Sequence, residues 1–178
     1  MIETSRLLLR RWRDEDFIPF AALNADPIVR RWWSAGPLNQ ADSHAQAERL
    51  RRHIEDHGFG FWAVEVSQVS PFIGFVGLQN EEADMPFAPA IEAGWRLARA
   101  YWGQGYAIEA ARAAFDDGFG RLGMSEIVAY AVEGNMPSRR VMERLGMHHD
   151  QRDDFNHPHR KSDDPFRRHV LYRLRSPG

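Results

Sequence analysis

At 178 residues the chain has the length of one domain, and residues 1–178 are expected to fold as one. Hydrophobic residues make up 43% and charged residues 27%, which excludes wholesale disorder, collagen and coiled coil. There is no cysteine, which removes disulfides, a thiol nucleophile and Cys-based zinc sites, and a net charge of −2 offers no bulk attraction to nucleic acid or anionic membrane. No run of 18 uncharged apolar residues occurs and Met1–Arg6 lacks an apolar signal core, so a cytoplasmic location is expected. Lys161 is the single lysine. The dominance of arginine is read as compositional bias, or as an arginine-lined phosphate site.

In chain order, the apolar run 6–12 predicts a strand, and Asp14-Glu15-Asp16 caps a helix to about Asn24. Asp26-Pro27 predicts a second short helix start. Residues 32–37 are expected as a loop, and the Ala/Glu/Arg/Gln-rich stretch from Gln40 to Asp56 as a helix closed by glycine at 58–60. Two strands, 61–66 and 71–78, form a hairpin. A polar loop spans 80–89 and a third strand 91–97. Ile108, Ala111, Phe115, Phe119 and Leu122 set out the apolar stripe of a helix over 107–122. A strand at 126–132, a helix at 136–145 ended by Gly146, and strands at 147–155 and 169–174 complete the chain. Antiparallel strands followed by strand–helix alternation predict a mixed α/β (α+β) fold, a mixed sheet with helices on its faces.

Chemistry concentrates where the third strand meets the long helix. Trp102-Gly103-Gln104-Gly105-Tyr106-Ala107 puts two glycines at a helix N-terminus, where backbone can approach a ligand closely. First-turn N–H groups lack helical partners and the dipole adds positive potential, so the turn suits a phosphate or pyrophosphate. The donors are Gln104, Gly105, Tyr106 and Ala107. A ligand-free tight turn and half of a dinucleotide fingerprint are the competing readings. Ile108 in place of the third glycine and the position in mid-chain speak against the second. Farther on, Asn135 stands at a strand end and Ser138 in the first turn of the next helix, positions that also suit capping.

The ordered set Thr4-Ser-Arg-Leu-Leu-Leu-Arg10, Trp102-Gly-Gln-Gly-Tyr-Ala107, Glu109-Ala110, Asn135-x-x-Ser138, Leu145-Gly-Met147, Asp154–Pro158 and Arg168–Tyr172 resembles the GNAT N-acetyltransferase superfamily. It is closest to the RimJ/RimL-like branch that acetylates ribosomal-protein N-termini. The resemblance spans nearly the whole chain. It implies a splayed mixed sheet of about seven strands with helices on both faces, and acetyl-CoA wedged between the strands ending near Leu97 and Val132. It further implies backbone contacts from Trp95, Arg96 and Leu97 to the pantetheine arm, pyrophosphate at Gly103–Ala107, and Asn135 at the pantetheine or thioester end. The chain departs from the family at Ala100, where Gln or Arg is frequent, and at Met142, where many members carry a tyrosine acid. Ser138 then becomes the candidate acid or hydrogen-bond donor to the thiolate.

Direct transfer fits better than an acyl-enzyme, because there is neither a cysteine nor a Gly-x-Ser-x-Gly elbow. A backbone N–H near Leu97 is the candidate for stabilising the carbonyl oxygen. A neutral amine must attack. An α-amine pays about 1.3 kcal/mol for deprotonation at pH 7 and a lysine-like amine about 4.6 kcal/mol, so a base matters for the second. Glu92 is the leading base and Glu133 the second; the catalytic set is therefore Glu92, Asn135 and Ser138. Trp32, Trp33 and Phe59 are expected as cleft wall or core. His157-Pro-His159 lacks ligand spacing, and no metal is expected. Expected partners are acetyl-CoA and an amine, a peptide N-terminus or a small amine, with a homodimer as the commonest symmetric assembly. Acceptor choice is expected in loops 33–41 and 80–89, where the acidic run Glu81-Glu82-Ala-Asp84 keeps a polyamine open. Two further classes are a non-catalytic acyl-CoA-binding module, which the residue at Met142 favours, and a dinucleotide-binding protein.

Overall fold

In the computed structural model, residues 1–81 and 84–177 are described. The strands are β1 (Ile2–Glu3), β2 (Leu7–Arg10), β3 (Phe61–Val66), β4 (Ser70–Glu81), β5 (Ala90–Leu97), β6 (Glu126–Val132), β7 (His148–His149), β8 (Phe155–Asn156) and β9 (Arg168–Arg175). The helices are α1 (Phe17–Ala25), α2 (Gln40–His57), α3 (Tyr106–Gly120) and α4 (Met136–Arg144). The sheet order is β1-β2-β3-β4-β5-β6-β9-β7, with β8 also on β9. All pairings are antiparallel except β5 with β6, which is parallel.

That one parallel contact positions the site. Among the described residues, the β5–β6 ladder is registered at Glu92↔Val128. Beyond it they diverge toward Leu97 and Val132, so the sheet splays where the resemblance requires a cleft. β4 and β5, by contrast, stay in register from Gly74↔Leu97 to Glu81↔Ala90. Alternation then sorts side chains to the two faces. Phe75 meets Phe20 of α1 at 6.0 Å between ring centres. On the opposite face, Leu78 packs beside Gly118 of α3, where any added Cβ would lie 2.7 Å from it. Helices therefore cover both faces.

Local chemistry explains most boundaries. Asn39 caps α2 by accepting from Asp42 N–H at 2.8 Å, and Gly58, at φ 75°, ends it. In the core, Arg10 donates through two parallel bonds of 2.8 Å to the Asp16 carboxylate, both residues being buried.

The structure departs from the sequence expectations in four places. Residues 27–32 form turns instead of a helix. Its turns tie back through Arg30 N–H to Asp26 C=O and Trp33 N–H to Arg30 C=O, both at 3.0 Å, and arginine–tryptophan stacking holds the segment in place of a continuous helical ladder. Residues 147–155 are not a continuous strand, because Asp150 accepts from Arg152 N–H at 3.0 Å and turns the chain through a 3-10 segment. Strand β4 runs on to Glu81, into the expected loop, because it keeps pairing with β5. The sheet has nine strands in place of about seven, among the described residues; β1, β7 and β8 are residue pairs too short to leave a sequence period.

Candidate active site

The splay opens into a cleft of about 1010 Å³. Its lining brings together Trp95, Arg96, Leu97, Trp102, Gly103, Gly105, Tyr106, Ala107, Asn135, Ser138 and Glu92. Gln104 and Glu133 do not line it. Gln104 turns its side chain back, donating to Ala100 C=O at 3.0 Å. Glu133 is exposed.

One wall is built at the start of α3. Gly103 and Gly105 take positive φ, 74° and 80°, which a glycine adopts without strain. The first helical bond runs from Glu109 N–H to Gly105 C=O at 3.0 Å. The N–H groups of Tyr106, Ala107 and Ile108 therefore have no helical acceptor and face a cleft that all three residues line. Tyr106 and Ala107 are shared with the sequence reading, Ile108 is added, and Gln104 and Gly105 precede the first helical turn.

This turn is braced by the N-terminus of the chain. Glu109 accepts from Thr4 Oγ1 at 2.6 Å, Ser5 Oγ at 3.2 Å, Arg6 N–H at 3.1 Å and Arg6 Nε at 2.7 Å. Arg6 Nη1 also donates to Gln104 C=O at 3.1 Å, and its guanidinium lies 4.7 Å from the Tyr106 ring. These bonds outweigh partial burial and hold the Glu109 carboxyl below the usual carboxylate range. Glu109 sits where its own charge opposes an incoming anion, so Arg6 both neutralises it and fixes the turn. Glu109→Ala is expected to free Arg6 and the turn and to weaken acetyl-CoA binding about 5-fold to 30-fold, the worth of roughly 1–2 kcal/mol. Calorimetric titration checks it.

The strand edge forms the second wall. Ala98 N–H bonds Ile73 C=O at 2.8 Å on the β4 side. By antiparallel alternation the backbone groups of Leu97 and Trp95 point the other way, into the gap left by β6. Trp102 Nε1 takes the Leu97 carbonyl at 2.7 Å, which leaves the Leu97 N–H facing the gap. On the far wall, Asn135 Oδ1 accepts from Ser138 N–H at 3.3 Å. Asn135 is thus the cap of α4, and Ser138 is half-buried in the cleft lining. Met142 is buried in the core, so the position of the family's tyrosine supplies no acid here.

Glu92 lies where the strands part. It accepts from Gln79 Nε2 at 2.9 Å. Burial pushes its carboxyl up to about 8, helped by the neighbouring Glu81 carboxylate and opposed by the Gln79 bond. Tyr130, whose hydroxyl donates to Glu81 at 3.4 Å, is held protonated by burial and by both carboxylates. Tyr130, Gln79 and His169 are site residues that sequence reasoning missed. Tyr130 carries no sequence signal of its own: it stands two residues beyond Val128, whose parallel pairing with Glu92 appears only in the folded sheet.

Over the acceptor end, two loops clasp each other. Arg160 donates to Ser34 Oγ at 2.5 Å and to Trp32 C=O at 3.4 Å, Ser34 also bonds Asp164, and Trp32 meets Phe166 at 6.0 Å. Trp32 and Trp33 line the cleft, while Phe59 packs against the core. His157 and His169 stand 5.0 Å apart by ring centre. Burial lowers both, His169 to about 4, so the pair is neutral at pH 7. Among the described residues no cluster of three or more metal-ligating side chains occurs. Of the acidic run, Glu81 bonds Tyr130, Asp84 is exposed, and Glu82 and Ala83 lie outside the described residues.

Comparison with known proteins agrees with this geometry. Residues 6–148 match the family model described as an acetyltransferase (GNAT) domain. The Bacillus subtilis protein YkkB is 32% identical over 147 residues, covering 82% of this chain and 84% of that one. The solved GNAT-family acetyltransferase from Bacillus anthracis superposes with a TM-score of 0.82 at 21% identity, covering 99% of each chain. The spermidine N-acetyltransferase from Vibrio cholerae, solved with CoA and spermine, shares the fold with a TM-score of 0.74 at 20% identity, covering 97% of each chain. A family match over four-fifths of the sequence, on a sheet that splays at the glycine turn, places the chain in the GNAT acetyltransferase family.

Proposed function

We propose that this N-acetyltransferase binds acetyl-CoA between β5 and β6 and passes the acetyl group directly to a primary amine that enters from the α1–α2 side. One observation carries the reading: a single cleft holds both the free first-turn amides of α3 and the Glu92 carboxyl. The residues present fit the thioester carrier. Tyr106, Ala107 and Ile108 N–H would receive the diphosphate, with the Gly103 and Gly105 bend giving access. The Trp95 backbone would take the pantetheine amides.

In the reaction the amine nitrogen forms a bond to the thioester carbonyl carbon and the carbon–sulfur bond breaks. Glu92 takes the proton that the amine must shed, directly or through one water. A group with a pKa near 8 is ionised in about one molecule in ten at pH 7 and is then strong enough to hold that proton. The Leu97 N–H supports the developing oxyanion. Ser138 Oγ–H donates a hydrogen bond to the departing thiolate, and Asn135 keeps Ser138 in place by capping its turn. Proximity of both reactants supplies much of the remaining acceleration.

The test is release of CoA thiol from acetyl-CoA, with a panel of free amino acids, polyamines and peptides bearing free N-termini. Thiol release dependent on an amine is the expected result. Tight acetyl-CoA binding without amine-dependent release would instead identify a non-catalytic acyl-CoA-binding module.

A further inference from the structure

Strand β5 carries two charged groups on the face toward α1 and α2, Glu92 and Arg96, with Gly94 between them. They sit opposite Gln79, Phe75 and Gly77 of β4, respectively. Gly94 leaves room for the Phe61 ring, since any Cβ there would lie 2.6 Å from it. Phe61 stacks on Phe75 at 5.2 Å. The face is thus an apolar floor with a carboxyl at one end and a guanidinium at the other, about 13 Å apart along the strand.

Arg96 is only 8% exposed, yet it lines the cleft. Its Nη1 donates to Asn24 Oδ1 at 2.8 Å and Gln46 Oε1 at 3.1 Å, both neutral. Its Nε is buried with no partner. The guanidinium lies 4.6 Å from the Trp33 ring, and a second buried cation, Arg30, lies 4.7 Å from the same ring. Among the described residues, no carboxylate makes an ion pair with either. Burial and Arg30 both work against the charge on Arg96, but a guanidinium does not shed its proton in a protein. Arg10, equally buried, shows the usual arrangement: it is paired with Asp16 and Glu65. Buried charges are normally paired, so Arg96 leaves an excess of positive charge in the acceptor half of the cleft; Arg30, which does not line the cleft and donates to Gly36 C=O at 3.0 Å, adds to it through the shared Trp33 ring.

We propose that Arg96 binds a carboxylate of the acceptor, so that the substrate is an amine carrying a carboxylate at the far end of an apolar chain, as in an ω-amino acid, with its amine toward Glu92 and its carboxylate against the guanidinium. This rests on the acetyltransferase reading and narrows its substrate. A polyamine would set a cation against buried Arg96, and an amine without an anion would leave that charge uncompensated. The aromatic floor of Phe61, Phe75 and Trp33 suits an apolar body between the two charged ends.

The experiment compares ω-amino acids with the amines that lack only the carboxylate, 6-aminohexanoate with pentylamine and L-lysine, acting through its ε-amine, with cadaverine, beside spermidine and a neutral tripeptide amide. Thiol release gives kcat/KM for each. The carboxylated member is expected to lead its pair by about 30-fold or more. Arg96→Gln is expected to collapse that ratio toward one, and Arg96→Lys to keep part of it. Calorimetric titration of each pair into the CoA-saturated wild-type protein reads the same preference without turnover. Absence of a carboxylate preference in every pair, by rate and by titration, overturns the proposal, as does a ratio that survives in a folded Arg96→Gln protein. Amino acids that bind with the expected preference while no amine releases thiol would support the carboxylate site and remove the acetyltransferase reading.

Discussion

Glu92→Gln is expected to lower kcat/KM for an alkylamine acceptor by about 10²–10⁴-fold, the usual worth of a positioned general base. The amide keeps the shape and can still bond Gln79, so the loss is one of proton affinity and not of packing. In the wild-type protein, kcat/KM should rise with pH and level off above about 8, as Glu92 ionises. In the variant that limb should vanish, leaving only the titration of the amine itself. The stability consequence has a definite sign. The carboxyl of Glu92 is raised from 4.5 to about 8 on folding, so the folded state holds the proton more tightly than the unfolded chain. Its contribution to stability is fully present below pH 4.5 and is lost as pH rises toward 8. Denaturant melts of wild type and Glu92→Gln across pH 5–8 should therefore converge at low pH relative to high pH (window from the same shift). A pH–rate profile unchanged by the substitution removes Glu92 as the base. The neighbouring Glu81 carboxylate adds to the rise at Glu92.

Acetyl-CoA at about 100 times its Kd should raise Tm by roughly 5–10 °C, the equivalent of about 2.7 kcal/mol for a chain of this length. NAD should not. Gly105→Val is expected to erase most of that rise. At φ 80° a β-branched residue is strained, and its side chain would project where the backbone must meet the diphosphate. The only protein atom near the new Cβ is Arg6 Nη2 at 3.5 Å, so the cost falls on the turn and the ligand and not on the core. A hundredfold loss of affinity leaves about 0.4 kcal/mol at the same concentration. Gly120→Ala is the control, because nothing lies within 4 Å of a Cβ there. A full thermal shift in a folded Gly105→Val protein would show that the ligand does not use this bend.

Much of the site was legible because it is written in short segments. Two glycines between a strand and an amphipathic helix define a bend at a helix start, and Asn135 three residues before Ser138 defines a cap. What stayed hidden depends on distant segments meeting. Glu109 reads as an ordinary helix residue until Thr4–Arg6 fold onto it, and Tyr130 as an ordinary strand residue until β6 stands beside β5. Arg96 was read for its backbone. Its side chain became the informative part only once Asn24, Gln46 and Trp33, from three separate segments, were seen to enclose it without an acid.

The sequence by itself determined the alternation of apolar positions, the helix caps and the glycine bend, because each depends on neighbours within one or two turns. Tertiary structure alone decided where the sheet parts, which carboxyl is lifted toward neutrality and which cation is enclosed without an acid. Those outcomes depend on register and burial, and both arise from contacts between residues far apart in the chain.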